Sequence, residues 1–337
     1  MFAADTVGCY KKSPDAWQTK VQSSFRLPFP LPWVMIAAAL LGVAYTIVSF
    51  YEPDLQAVWP LVLQAVLIAA IANAVVYCEM LLDEVADAFP QLLDDAPERT
   101  RQWLRQWYDN IFWSSKNIIT GLVLAAVAAV TGTEVVLHFF HSVPGRACGF
   151  FFICTIGFLG GSMLWTMIGI ARLMASLGSS VSIAPSIFDS STSAVRAASS
   201  VLWKVSLAAA ILYVLSIAIR LLCPAERSSL SLALTAVFGA FIVLYFIIPQ
   251  VNIHKTLVRL KRERLGTLVK QIDDTFDRVA VSPTRENISQ LRDLFDLQRV
   301  INGKRSWSFG TPELLVLLGT IIVPLSLFAL KCLLNEE

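Results

Sequence analysis

The stretch TGTEVVLHFFH, residues 131–141, carries three side chains able to ligate a metal. Residues three and four apart are neighbours on a helix surface, so Glu134, His138 and His141 are expected on one face of a continuous helix. Glu-x3-His-x2-His suits a transition metal, but a structural zinc site takes four protein ligands. The chain's only other histidine is His254, more than a hundred residues away. The competing reading is the water-side end of a membrane helix, with Phe139 and Phe140 toward lipid and both histidines at the headgroups. That belt is the expectation, and neither a metal nor another cofactor is assigned. Glu134 stands apart from both readings, because an ionisable group inside a span normally faces the bundle interior or water.

The elements that must hold these residues follow from composition. Of 337 residues, 56% are hydrophobic and 15% charged, against about 25% charged in a soluble domain. The apolar residues gather in runs of about twenty, the length that crosses a bilayer as an α-helix, rather than in the alternating segments of a barrel. The fold class is therefore all-α, a polytopic membrane protein. Seven spans are expected, at about 31–51, 58–82, 118–141, 148–175, 201–222, 229–249 and 312–333. About thirty residues precede the first run and no A-x-A cleavage pattern follows it, so it is expected to stay as a permanent helix.

Lys and Arg divide unevenly between alternate connections. Twenty-three fall in 1–30, 83–117, the Arg172–Lys204 stretch and 251–310, and four fall on the opposite side, at Arg146, Arg220, Arg227 and Lys331. The positive-inside bias puts the N-terminus in the cytoplasm and the C-terminal LLNEE outside, in a plasma or bacterial inner membrane. This gives a cytoplasmic segment 1–30, a six-helix domain 31–250 with a cytoplasmic helical part at 83–117, a cytoplasmic hairpin 251–310, and a last helix with a short tail at 311–337.

Inside the spans, polar groups are sparse. Gln64, Asn73, Ser162, Thr166 and Thr235 are expected to hydrogen-bond between helices. Glu79 and Lys204 fall near cytoplasmic ends, where long side chains reach the interface. In GFLGGS, Gly157 and Gly161 form a G-x-x-x-G pair that lets backbones approach, within one chain or between copies. The six cysteines read as small buried hydrophobes; Cys148 and Cys223, both near the outer face, are the one pair placed for a disulfide. No carboxylate ladder, His/Asp or Ser/Lys pair, nucleotide-binding loop or zinc-finger spacing occurs, so neither an enzyme nor a nucleic-acid binder is expected.

Two segments outside the spans are patterned. In 252–279, Val258, Leu265, Val269, Ile272, Phe276 and Val279 recur at helical spacing within a strongly charged stretch. Ser282 as N-cap and Pro283 at the first position predict a second helix over 283–302, whose face is Ile288, Leu291, Leu294, Phe295 and Ile301. The resulting hairpin leaves apolar edges that call for another copy, through Leu265, Val269, Ile272, Phe276, Ile288, Leu291 and Phe295. Between spans two and three, Trp103, Trp107 and Phe112 with Arg101 and Arg105 suit either an interfacial helix or packing against that hairpin.

Seven spans, an inward N-terminus, an outward C-terminus, a sixth helix continuing into the cytoplasm and a seventh split into arms at 283–302 and 312–333 resemble insect gustatory and odorant receptors. The likeness is one of topology; the Tyr- and Gln-Phe-containing signature of gustatory receptors does not occur in LLVLLGTIIVPLSLFALK. The resemblance implies a tetrameric ligand-gated cation channel, with the cytoplasmic helices between subunits and the last helix lining the pore. Thr311, Gly319, Thr320, Pro324 and Ser326 are then the pore-lining candidates, offering small or polar surface and a kink. A non-conducting sensor or scaffold recruiting a cytoplasmic partner is the alternative reading, and a small-solute transporter the third. The candidate partners are further copies of the chain, the bilayer, and a small ligand or ion.

Overall fold

The computed structural model describes residues 29–52, 58–86, 97–176, 187–222, 229–303 and 311–334. Ten helices occur among them: α1 (Leu31–Tyr51), α2 (Val58–Ala86), α3 (Pro97–Phe112), α4 (Ser115–Thr131), α5 (Thr133–Phe139), α6 (Val143–Ser176), α7 (Ile187–Leu222), α8 (Ser229–Val281), α9 (Arg285–Gly303) and α10 (Thr311–Leu334). There is no strand among the described residues. In hydrocarbon a helix is the form that pairs all its own backbone groups, so long apolar runs resolve into rods.

Six stretches are long and apolar enough to cross a membrane: Leu31–Tyr51, Val58–Glu84, Gln102–Thr131, Val143–Ser176, Ser199–Leu221 and Ala233–Lys255. The chain is accordingly compatible with a multipass membrane protein. The seventh expected run is helical as α10, but its apolar part, Leu314–Leu330, is shorter. At 1.5 Å per residue that part extends about 25 Å, less than the hydrocarbon core of about 30 Å. Glu313 and Lys331 bound it. By length and composition the count is six rather than seven.

The third expected span also differs. It ends at Thr131, because Gly132 interrupts the helix and presses against Ile153 of α6, where an added Cβ would lie 2.6 Å from that side chain. Toward its other end the rod runs on through α3. The two pieces are separated only at Trp113 and Ser114, where the Ser114 hydroxyl caps α4 by accepting from the Lys116 amide at 3.1 Å. The α3 segment does not use its apolar face as a free interfacial helix: Leu104, Tyr108, Ile111 and Phe112 are buried, and Ile111 packs onto Gly169 of α6.

α2 lies at the centre, against α1, α6 and α7, and α7 in turn holds α8 and α10. The tightest seam joins α4 to α6. A Cβ at Gly157 would lie 2.6 Å from the Leu124 carbonyl, and one at Gly161 would lie 2.5 Å from that of Thr120. Gly160, between them, meets nothing.

α8 is the other organising element, 53 residues with Pro249 inside. Its far half turns back as α9 around a small separate core of Leu268, Ile272 and Ile301, flanked by Leu265, Leu291 and Leu294. The start of α9 is not at Ser282 and Pro283. Thr284 caps it instead, accepting from the Asn287 amide at 3.3 Å, while the Asn287 side chain donates to the Ser282 carbonyl. At the other end Lys261 donates to the carbonyl of Asn302 at 2.9 Å, where cations favour a helix C-terminus.

Candidate functional site

The three residues that could bind a metal are not brought to one face. Glu134 and His138 share α5 and are exposed, but Phe140 is extended (φ −120°, ψ 118°), so His141 leaves the helix. No group of three His, Cys, Asp or Glu able to hold a metal occurs among the described residues. What organises this turn is Glu52, at the end of α1. Its carboxylate accepts from the amides of His141 (3.1 Å) and Ser142 (2.9 Å) and from the Ser142 hydroxyl (2.5 Å). The Ser142 oxygen in turn accepts from the Gly145 amide at 3.1 Å, capping α6, and Gly145 is bare because a Cβ there would strike the Glu52 carboxylate. Burial pushes the Glu52 carboxyl upward, but the Ser142 hydroxyl, the Ser142 and His141 amides and the charge of His141 outweigh it, holding the acid below its ordinary value.

Deeper polar groups divide into satisfied and orphaned ones. Asn73 donates to the Ala69 carbonyl at 2.8 Å and Thr166 to that of Ser162 at 2.9 Å, both within their own helices. Ser162 and Thr166 are fully buried. Gln64 is buried on α2, and its carbonyl oxygen finds no partner among the described residues; nor do the amide oxygen of Asn73 and the hydroxyls of Tyr213 and Tyr245. Glu79 does not reach the interface: it is 1% exposed and accepts a short hydrogen bond from Tyr108 of α3. Ser199 donates to Gln250 across α7 and α8 at 3.1 Å, Arg220 to Thr235 at 3.3 Å, and Trp165 to the Asn110 carbonyl at 3.1 Å. Lys204 meets Glu84 at 3.7 Å, the lysine side chain 38% exposed and the glutamate 68%. Cross-helix pairing thus falls on Thr235, as expected, and also on Glu52, Glu79, Tyr108, Ser199 and Gln250. Cys148 is half-buried with a free thiol, and Cys223 lies outside the described residues.

α10 holds to α7 and α8 by Leu317, Ile321 and Phe328, all buried. Gly319 and Ser326 lie on the exposed side, and a Cβ at Gly319 would meet nothing. Thr320 and Pro324 are half-buried. The hydroxyls of Thr320 and Ser326 return to carbonyls of their own helix, Val316 at 2.7 Å and Ile322 at 2.9 Å. Thr311 opens the helix.

In the hairpin the seven contact candidates separate into two groups. Ile272 is buried and Leu265 and Leu291 half-buried in the seam between α8 and α9, whereas Val269, Phe276, Ile288 and Phe295 are 41%, 59%, 51% and 49% exposed. At about 100° per residue, Val269 and Phe276 lie some 40–60° around α8 from Ile272, and Ile288 and Phe295 the same way around α9 from Leu291. The arms are antiparallel, so equal rotations carry both pairs to one side of the hairpin. Four large apolar side chains therefore share a flank.

No family profile, curated protein or solved structure matches the chain.

Proposed function

We propose that this chain is a multipass membrane protein assembling through its hairpin into a ring around α10, and that the ring conducts ions. The supporting observation is the flank of Val269, Phe276, Ile288 and Phe295, exposed on a segment too charged to lie in lipid. Copies in one membrane are related by rotation about its normal, which preserves height. Val269 lies level with Phe295 and Phe276 with Ile288, so flanks turned toward a common axis bring large apolar groups together at two heights. The same hairpin leads into α10, gathering the helices that carry Gly319, Thr320, Pro324 and Ser326 about the axis. In this reading α10 completes seven spans by local thinning of the bilayer, the N-terminus is cytoplasmic, and fourfold symmetry follows the receptor-like topology. The test is charge on the flank: Phe276→Glu and Phe295→Glu each leave the seam intact, and the detergent-solubilised complex is expected to fall to monomers in light scattering. An unchanged mass rules out the assembly. A lowered mass together with no conductance from parent protein in planar bilayers favours the scaffold reading, in which the flank receives a cytoplasmic partner. Labelling from outside is expected to reach a cysteine at Asn335 and miss one at Asp274.

A further inference from the structure

The exposed apolar side of α8 runs on past Pro249 into a row of cations. Val237, Leu244 and Ile248 are 67%, 52% and 54% exposed. Lys255, Arg259 and Arg262 are exposed as well. Steps of 7, 4, 7, 4 and 3 residues separate these six, and at about 100° per residue all fall within an arc of roughly 60°. The apolar three lie within the span Ala233–Lys255, and the cationic three begin where it ends. From Lys255 to Arg262 the helix advances about 10 Å, less than a headgroup layer of about 5–7 Å plus a Debye length of about 8 Å, so all three cations stay within reach of lipid phosphates. We infer that this stripe is a binding site for an anionic phospholipid, its acyl chain along Val237, Leu244 and Ile248 and its phosphate among Lys255, Arg259 and Arg262.

The neighbouring charges fit that occupant. Glu263 is the one acid among residues 255–264 and lies 3.9 Å from Arg259, both well exposed, a pairing of little strength in water. Lys261 is turned to α9, where it holds the Asn302 carbonyl. A second copy placing this face against its own equivalent would set cations against cations at one height, which argues for lipid over self-contact here. The inference needs α8 to cross the bilayer and does not depend on conduction or ring formation.

Native mass spectrometry of the full chain in neutral detergent, titrated with phosphatidylserine or phosphatidylcholine, tests it. The parent is expected to retain phosphatidylserine preferentially. Lys255→Gln, Arg259→Gln and Arg262→Gln together are expected to weaken that lipid about a hundredfold at low salt, near fivefold per cation, and to leave phosphatidylcholine unchanged. Three control substitutions of cations far along the hairpin, Lys270→Gln, Arg285→Gln and Arg292→Gln, are expected to have little effect. Equal loss in the control set would assign the preference to net charge and overturn the site. Soluble glycerophosphoserine is expected to compete poorly, and competition equal to the lipid's would show that the apolar part of the stripe contributes nothing. Preference unmoved by the stripe substitutions also overturns the site, including the case in which a second copy covers it. Running the series on Phe276→Glu separates this outcome from failure of the assembly.

Discussion

The α4–α6 seam and the α8–α9 hairpin are both antiparallel helix pairs, built by opposite means. In the first, Gly157 and Gly161 bring backbones within reach of each other, and the outward faces still carry Ile118, Ile119, Leu122, Val123 and Val130, all more than half exposed. In the second, Leu268, Ile272 and Ile301 interlock as branched side chains, and Val269, Phe276, Ile288 and Phe295 remain uncovered. The difference follows from the solvent. Lipid tails gain nothing by expelling leucine, so a membrane seam relies on close contact, and its outer apolar surface is at rest. Water penalises an exposed Phe by an amount proportional to its area, so the same exposure on the hairpin is an unsaturated surface.

The largest effect expected from breaking this contrast is at Gly161. A Cβ there would lie 2.5 Å from the Thr120 carbonyl and 2.6 Å from the Gly121 Cα, backbone atoms that cannot turn aside. Gly161→Leu is expected to separate α4 from α6 and cost about 3 kcal/mol or more, read as loss of a monodisperse peak and a fall in Tm of many degrees. Gly160→Leu, one position away with nothing near its Cβ, should leave both unchanged. Equal damage from the two would mean that added bulk anywhere on this helix, not the close approach at Gly161, sets the cost, since helix propensity favours Leu at both positions.

At Ile272 the loss is smaller in extent. The residue is 7% exposed inside the hairpin, and Ile272→Glu puts an unpaired carboxylate among Leu268, Leu291 and Ile301, at a cost of several kcal/mol to that element. Hydrogen exchange is the measure. Residues 265–301 are expected to lose protection while 157–170 keep theirs, because the hairpin has its own core. Loss of protection in both would show that the two pairs fold as one cooperative unit.

Much of this division is legible in the sequence and part of it is not. The apolar runs, the long sixth helix and the hairpin follow from periodicity alone, because burial and helical pitch leave their mark on every third or fourth residue. The break at Gly132 does not, since glycine is tolerated within membrane helices and only the position of Ile153 shows that this one ends a rod. Nor do the partners of Glu52 and Glu79. A carboxylate's partner is set by which helix ends come to lie together, about ninety residues apart in the first case, and spacing along the chain carries no trace of that. Glu52 directly follows an apolar run, with Asp54 two residues on, and nothing in that spacing marks its ties to Ser142 and His141. In the hairpin, periodicity groups Ile272 with Phe276, but only the α9 packing separates the seam residue from the flank residue.

Glu52 gives the smallest effect and the finest test, because it is where the membrane bundle meets water and both solvents act on one contact. Its carboxylate ties the end of α1 to the start of α6 through three donors. Glu52→Gln keeps the shape but removes the charge, and the lost charge-assisted bonds, screened by water at this partly open position, are worth about 1 kcal/mol. The pH dependence has a definite sign. The folded carboxyl lies below its ordinary value of 4.5, so its contribution is fully present above that value and is lost as pH falls through the lower, folded one. The Tm difference between parent and Glu52→Gln is therefore expected to be constant from neutral pH to about 5 and to close below it. A gap that widened on acidification would mean that the protonated acid is the form the fold prefers, and that burial rather than hydrogen bonding governs this end of α1 as it does the interior.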